Sequence, residues 1–151
     1  MFSVMLDFAN LLLAALVVGA MFGVWLLFNP SGLDDNFYVA LHQHGVRTLN
    51  TVMPALGAAS TLGMIAAAAL GRNDRTRLWL LVAAVVCFVA SGLITRFLNQ
   101  PINAIVMSWR GDAPPSNWMA LRDEWWRWHL IRLAAGLAGL SLLIAATLKR
   151  S

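Results

Sequence analysis

The chain has 151 residues, of which 60% are hydrophobic and only 12% are charged, and its formal net charge is +4. A soluble globular domain is usually about 45–50% apolar and about 25% charged. The composition excludes a soluble enzyme domain and a disordered chain, and the single cysteine, Cys87, excludes an intrachain disulfide scaffold. We therefore predict one integral-membrane domain.

Four stretches contain no Asp, Glu, Lys or Arg, namely residues 8–28, 48–70, 78–95 and 133–148. A bilayer core about 30 Å thick requires ~20 apolar helical residues to cross it. The pattern predicts an all-α, integral-membrane four-helix bundle. Its expected spans are residues 8–28, 48–70, 78–98 and 130–148, and the expected extramembrane segment is 99–129.

The first span is expected to end at Asn29-Pro30, which is a stop and turn signal. Two small-residue patterns lie in the spans, Gly19-x-x-x-Gly23 in the first and Gly136-x-x-Gly139 in the fourth. Small residues allow helix backbones to approach closely. Both patterns would therefore allow close contact between helices.

The second helix is predicted to begin well before its span. Asp34 and Asp35 are typical of a helix start, where carboxylates accept hydrogen bonds from free backbone N–H groups. A helix that begins there and continues through residues 48–70 extends beyond the bilayer on one side. Pro54 lies inside it and is expected to bend it, because proline removes one backbone hydrogen bond.

His42 and His44 lie on this projecting part of the second helix. Successive helical residues turn by about 100°, so the two rings point about 200° apart and cannot both face one site. The candidate metal ligands are His42, His44 and His129, with copper or iron as the ion. No strong ligand spacing such as H-E-x-x-H is present, and a cofactor-free site in which a buried histidine moves a proton is the alternative.

The third segment contains Asn99, Pro101 and Asn103. On a regular helix the two asparagines, four residues apart, share one face. A helix broken at Pro101 is the alternative, because proline kinks or ends a helix. Buried amides need hydrogen-bond partners, and we expect His129 or Arg132 to supply them.

The final helix carries large polar and aromatic side chains on one stripe about 80° wide. The stripe consists of Trp118, Arg122, Trp125, His129 and Arg132. Because lipid penalises buried charge, we expect this stripe to face the bundle. The alternative is an interfacial aromatic belt with snorkelling arginines.

The placement of charge predicts the orientation in the membrane. The short connector 72–77 contains three arginines, and Lys149 and Arg150 follow the fourth span. Basic short loops stay in the cytoplasm, so we predict a multi-pass protein with both termini cytoplasmic. The expected partners are the lipid bilayer and a small hydrophobic substrate. Nucleic acid is not expected because the basic residues are scattered, and oligomerisation is left open.

The C-terminal third of the sequence resembles the anthrone oxygenase-like family of small four-helix membrane proteins. The resemblance lies in the motif Asn99-x-Pro101-x-Asn103 and in the tryptophans, His129 and Arg132 that follow it. Most members have no assigned reaction, and those with known roles oxidise anthrones and similar phenolic polyketides to quinones with molecular oxygen. The resemblance implies no particular cofactor. The positions that match the family pattern are Asn99, Pro101, Asn103, Trp125, His129 and Arg132.

The leading hypothesis is an integral-membrane oxidoreductase that acts on a small hydrophobic aromatic substrate, phenolic or anthrone-like. The substrate enters from the bilayer between the second, third and fourth helices. The candidate catalytic residues are His129, His42 and Arg132. The candidate substrate-binding residues are Asn99, Asn103, Trp125, Trp128 and Trp118.

The alternative hypothesis is a non-catalytic membrane protein, either a partner subunit or a module that binds a small ligand. A transporter is disfavoured, because transport sites commonly lie near the midplane between broken helices and the polar residues here cluster at one end.

Overall fold

The computed structural model describes residues 2–28, 32–110 and 114–149, so the predicted stop at Asn29-Pro30 lies outside the described residues. A π-helical turn connects the third helix to the fourth without a break. The elements in chain order are α1 (Phe2–Leu27), α2 (Asp35–Leu70), α3 (Arg75–Ile94), the π-helical turn (Thr95–Asn99), α4 (Gln100–Ser108) and α5 (Trp118–Leu148).

Among the described residues, four helices are long and apolar enough to cross a membrane, with α3, the π-helical turn and α4 counted as one. This confirms the all-α fold and indicates a multi-pass membrane protein. Helix α2 has 36 residues and α5 has 31, which is more than the ~20 that a bilayer core requires. Their extra turns lie at the same end of the bundle, because the rings of Tyr38 and Trp118 are 5.4 Å apart between centroids.

The start of α2 follows the sequence prediction. The Asp34 side chain accepts a hydrogen bond from the backbone N–H of Phe37 at 2.9 Å and caps the helix. Helix α2 then continues as one element through Pro54 to Leu70.

The main helix contacts form a closed ring in the order α1, α2, α3, α5 and back to α1, so α2 lies diagonally opposite α5. Helix α5 approaches its neighbours through glycines, as predicted. A Cβ atom at Gly136 would lie 2.6 Å from Met21 Cε, and one at Gly139 would lie 2.6 Å from Phe88 Cδ2. The pattern at Gly19 and Gly23 does not make such a contact, because nothing lies within 4 Å of either Cβ position.

The core divides into two clusters along the bundle. An apolar cluster lies toward the end that holds the N-terminus of α1, and it includes Ala14, Met64, Leu81, Leu143 and Ala146. An aromatic cluster lies at the opposite end, and it consists of Phe28, Tyr38, Ile102, Val106 and Trp125. The second cluster is where the polar side chains of α2, α4 and α5 meet.

A buried ion pair joins α1 to α3 beneath the apolar cluster. Arg77 Nη2 donates to both carboxylate oxygens of Asp7, at 2.8 and 3.0 Å, and both residues are buried. The sequence pattern indicated only that the arginines of the connector set the membrane orientation. Arg77 also has a structural role, since removal of one member of a buried pair leaves an uncompensated charge.

Candidate functional site

A cleft of about 1080 Å³ extends from the aromatic cluster into the middle of the bundle, where Val17, Met21 and Phe88 of the apolar cluster line it. Its wall combines residues of α1, α2, α3 and α4 with Trp125 and Arg132 of α5. Most of the wall is apolar. His42, Asn103 and Arg132 bring polar groups to it beside Trp125, and a second cation, the exposed Arg96, also borders it. Ligand-binding clefts usually measure about 300–1,000 Å³, so this cleft has room for a ligand of several fused rings.

The predicted stripe of α5 faces the bundle. Trp125 and His129 are buried, whereas Trp118, Arg122 and Arg132 are partly buried. At the outer end of the stripe, the Arg122 guanidinium lies 5.0 Å from the centre of the Trp118 ring. The stripe therefore packs inside the bundle, and the alternative interpretation, an aromatic belt at the membrane interface, does not apply to it.

Two asparagines hold Trp125 in place. Asn99 Nδ2 donates to the backbone carbonyl of Trp125 at 3.1 Å, and Asn103 Oδ1 accepts from the indole Nε1–H at 2.8 Å. The asparagines therefore share one face, as their spacing predicts. Neither of them is bonded to His129 or Arg132, so the predicted partners are wrong.

The π-helical turn explains how the asparagines share a face across Pro101. Proline has no backbone N–H, and its ring clashes with the carbonyl four residues earlier, here that of Phe97. The chain widens into the π-helical turn Thr95–Asn99 just before the proline, which lies in the first turn of α4. The helix stays continuous, and the alternative of a break at Pro101 does not occur.

His42 is buried at the centre of a hydrogen-bonded group. Its Nε2 lies 3.0 Å from Asn103 Oδ1, and its Nδ1 lies 3.0 Å from the Tyr38 hydroxyl. Because the Trp125 indole can only donate, the Asn103 atom between them is an acceptor, and His42 Nε2 must donate to it. In the neutral ring Nδ1 is then an acceptor, and the Tyr38 hydroxyl donates to it.

His129 and Arg132 form a second group directly behind Trp125. His129 Nε2 donates to the backbone carbonyl of Met21 at 3.1 Å, and its Nδ1 accepts from Arg132 Nη2 at 2.9 Å. The imidazole stacks on Trp125 with centroids 5.3 Å apart and planes 4° apart. Arg132 Nη1 donates to Thr95 Oγ1 at 3.2 Å, so the guanidinium is fixed between α5 and the π-helical turn.

Arg132 borders the cleft without a counter-ion. Within residues 2–28, 32–110 and 114–149, the ion pairs are Arg77 with Asp7 and Arg122 with Asp123, and no carboxylate pairs with Arg132. Its guanidinium lies 5.7 Å from the centre of the Trp125 ring. Since arginine stays protonated in proteins, this wall of the cleft presents a fixed positive charge beside an aromatic ring.

The family model described as anthrone oxygenase matches residues 43–142, about two-thirds of the chain. The chain belongs to the anthrone oxygenase family. No curated protein and no solved structure matches it. The matched range contains Asn99, Asn103, Trp125, His129 and Arg132, whereas His42 lies just before it.

In this member of the anthrone oxygenase family, the predicted site residues fall into two sets. The residues that border the cleft are His42, His44, Asn103, Trp125 and Arg132. Those that are not part of its wall are Asn99, Trp118, Trp128 and His129. Trp118 packs against Tyr38, and Trp128 lies beneath the Arg127 guanidinium, 5.0 Å from it.

The structure does not gather the predicted metal ligands His42, His44 and His129. His42 and His129 lie on either side of Trp125, whereas His44 is an exposed residue of the cleft rim. In the described parts of the chain, no three His, Cys, Asp or Glu side chains are grouped as metal ligands would be.

Sequence reasoning missed two members of the site, Tyr38 and Thr95. Tyr38 precedes His42 by four residues, which places both on one face of α2, and this spacing was the available signal. Thr95 gave no signal, because its contact with Arg132 depends on the π-helical turn that begins there.

Proposed function

We propose that this protein is an integral-membrane oxygenase that oxidises a flat phenolic or anthrone-like ring with molecular oxygen in the cleft. The observation that carries the proposal is the Arg132 guanidinium, which borders the apolar cleft with no carboxylate partner in the described residues. Membership of the anthrone oxygenase family supports the same reaction class.

The cleft matches a ligand that is both aromatic and anionic. Trp125 offers an indole on the wall, and Arg132 places a positive charge 5.7 Å from that ring. In an apolar surrounding an unpaired cation attracts an oxyanion strongly. A phenolate or an enolate of an anthrone-like ketone satisfies both features, with its oxygen at Arg132 and its rings along the apolar wall.

The reaction converts a ring CH2 group opposite the carbonyl into a second carbonyl. Loss of one proton from the CH2 group gives an aromatic enolate, whose oxygen Arg132 stabilises. Dioxygen adds to the ring carbon, and the resulting hydroperoxide loses water to leave the quinone. In total CH2 and O2 become C=O and H2O, so one oxygen atom enters the product and the other leaves as water.

His42 is the histidine placed to accept the proton. It borders the cleft, and its Nε2–H is already held by Asn103. A proton added at Nδ1 turns Tyr38 from donor to acceptor, and both N–H groups of the imidazolium then have oxygen acceptors. His129 has a different role. It is not part of the cleft wall and its Nδ1 accepts from the Arg132 guanidinium, so it positions Arg132 and Trp125.

Oxygen uptake by the purified protein in lipid nanodiscs tests the proposal, with anthrone as substrate and anthraquinone quantified by chromatography. We expect wild type to consume oxygen as anthraquinone forms, and Arg132→Gln to lower kcat/KM about a hundredfold. Arg127→Gln is the matched control, because Arg127 is exposed, contacts Trp128 and does not border the cleft. Wild type without anthrone-dependent uptake contradicts the proposal, as does an equal loss in both variants.

The second candidate is a module that binds such a ligand without turnover. The observation that favours it is the complete engagement of the ring nitrogens of His42 and His129 by protein partners. It predicts binding of the aromatic anion at Arg132 with no oxygen consumption, so the same uptake measurement separates it from the oxygenase.

A further inference from the structure

Four glycines line the cleft and have unfilled space where their side chains would be. They are Gly23, Gly45, Gly57 and Gly92, from α1, α2 and α3. No atom lies within 4 Å of a Cβ built at any of them. By contrast, Cβ atoms at Gly63, Gly71, Gly136 and Gly139 would meet packed side chains.

Nothing in the packing of the described residues requires glycine at the four cleft positions. Glycine also destabilises a helix interior relative to alanine, so the local backbone does not favour it. Gly23, Gly45 and Gly57 are partly buried and Gly92 is exposed, so the first three are the more enclosed positions of the cleft wall.

The Arg132 charge lies at the same level as two of these glycines. Gly23 is two residues from Met21, whose carbonyl accepts from His129, and Gly92 follows Ser91, whose Oγ donates to the Arg132 carbonyl at 3.1 Å. Gly45 and Gly57 are twelve residues apart, which is about 18 Å along α2. The open wall is therefore longer than a single aromatic ring, and it includes the cation that would hold an oxyanion.

We propose that Gly23, Gly45 and Gly57 determine substrate size, because their bare backbone lets a fused polycyclic aromatic anion lie flat along the cleft. This inference rests on the proposed function, since it concerns the substrate of the same site. The glycines do not affect the binding of smaller ligands, because a single-ring anion fits beside Arg132 whether or not side chains occupy the glycine positions.

The test compares two probes of the same charge and different length, anthracene-2-carboxylate and benzoate. Their binding to protein in nanodiscs is followed by quenching of tryptophan fluorescence under anaerobic conditions, so that turnover plays no part. The variants are Gly57→Leu and Gly23→Leu. The matched control is Gly19→Leu, because Gly19 also has open space at its Cβ position but does not border the cleft.

We expect Gly57→Leu and Gly23→Leu to weaken binding of anthracene-2-carboxylate at least about tenfold and to leave benzoate binding nearly unchanged. Gly19→Leu is expected to bind both probes as wild type does. Thermal unfolding of Gly57→Ala and Gly57→Leu verifies the fold, and both are expected to unfold at or above the wild-type temperature because each favours the helix.

Three outcomes of the binding experiment each overturn the inference. In the first, the leucine variants bind anthracene-2-carboxylate as tightly as wild type does. In the second, they lose affinity for both probes equally, and in the third, wild type binds neither probe. If Gly57→Leu releases a co-purified phospholipid while binding of anthracene-2-carboxylate is unchanged, the space belongs to a lipid chain. That result also overturns the inference. If wild type consumes oxygen with anthrone but the leucine variants do not discriminate between the two probes, this inference fails and the proposed function stands. If they discriminate but wild type consumes no oxygen, only the oxygenase activity is refuted.

Discussion

Arg132 donates to His129 Nδ1 through two of its nitrogens, with Nη2 at 2.9 Å and Nε at 3.2 Å. Because a guanidinium can only donate, His129 Nδ1 is the acceptor, and the ring proton is on Nε2, which donates to the Met21 carbonyl; the imidazole is therefore neutral. The pair fixes a cation at the wall of an apolar cleft without neutralising it. This arrangement distinguishes Arg132 from Arg77, whose charge Asp7 compensates.

His129→Asn is expected to keep most of the activity that His129→Ala loses. An asparagine amide can donate to the Met21 carbonyl and accept from Arg132, which are the two bonds that His129 makes. In His129→Ala the guanidinium is no longer oriented, and we expect kcat to fall about a hundredfold. Oxygen uptake with anthrone at several concentrations measures kcat and KM for both variants.

If His129→Asn loses as much activity as His129→Ala, the positioning role is contradicted. That result would indicate that the imidazole itself carries a proton. The thermal unfolding temperature of both variants is the control, since it separates a change in turnover from a change in folding.

Asn103→Leu is expected to destabilise the protein by about 2–4 kcal/mol. The change removes the acceptor of both the Trp125 indole N–H and the His42 Nε2–H, and each unpaired buried donor costs about 1–3 kcal/mol. Trp125→Phe in the same chain removes one of these donors. In a double-mutant cycle measured by denaturant unfolding, the two changes should therefore cost less together than the sum of their single effects. Strict additivity would contradict the shared acceptor.

Asp7→Leu is expected to destabilise the protein by about 3–5 kcal/mol, because Arg77 is left buried without a counter-charge. The double variant Asp7→Leu with Arg77→Met is expected to recover much of that loss, since apolar residues of similar volume replace a buried ion pair well. Denaturant unfolding in nanodiscs or detergent measures both. The ion pair lies far from the cleft, so probe binding by the folded protein should not change.

Copper and iron content, measured by mass spectrometry, is expected to be the same in wild type and in His42→Ala, His44→Ala and His129→Ala. The reason is that both ring nitrogens of His42 and of His129 are held by protein partners. A stoichiometric metal that is lost in one of these variants would show that its ring rearranges to bind the ion.

The sequence predicts the fold well because the membrane simplifies the problem. Four charge-free stretches were sufficient to predict four helices, and Asp34 marked the start of α2 correctly. The stripe on α5 also predicted that Trp125 and His129 are buried, because the cost of charge in lipid determines which face turns inward.

The pairing of side chains between helices could not be predicted from periodicity. The spacing of Asn99 and Asn103 predicted a common face, but not that both asparagines bind Trp125. The π-helical turn shifts the register of α4, and this shift results from the clash of Pro101 with its preceding turn. The open space at Gly23 was likewise unpredictable, since a small-residue pattern fits a helix contact as well as a cleft wall.

If Arg132 holds an aromatic oxyanion in the cleft, it should favour the ionised form of 2-naphthol bound there. The absorbance of the protein–naphthol complex is recorded against pH for wild type and for Arg132→Gln. An opposite charge within about 4–6 Å usually lowers the pKa of an acid by about one to three. We predict that naphthol ionises at a correspondingly lower pH in wild type, and ionisation at the same pH in both proteins would contradict the account.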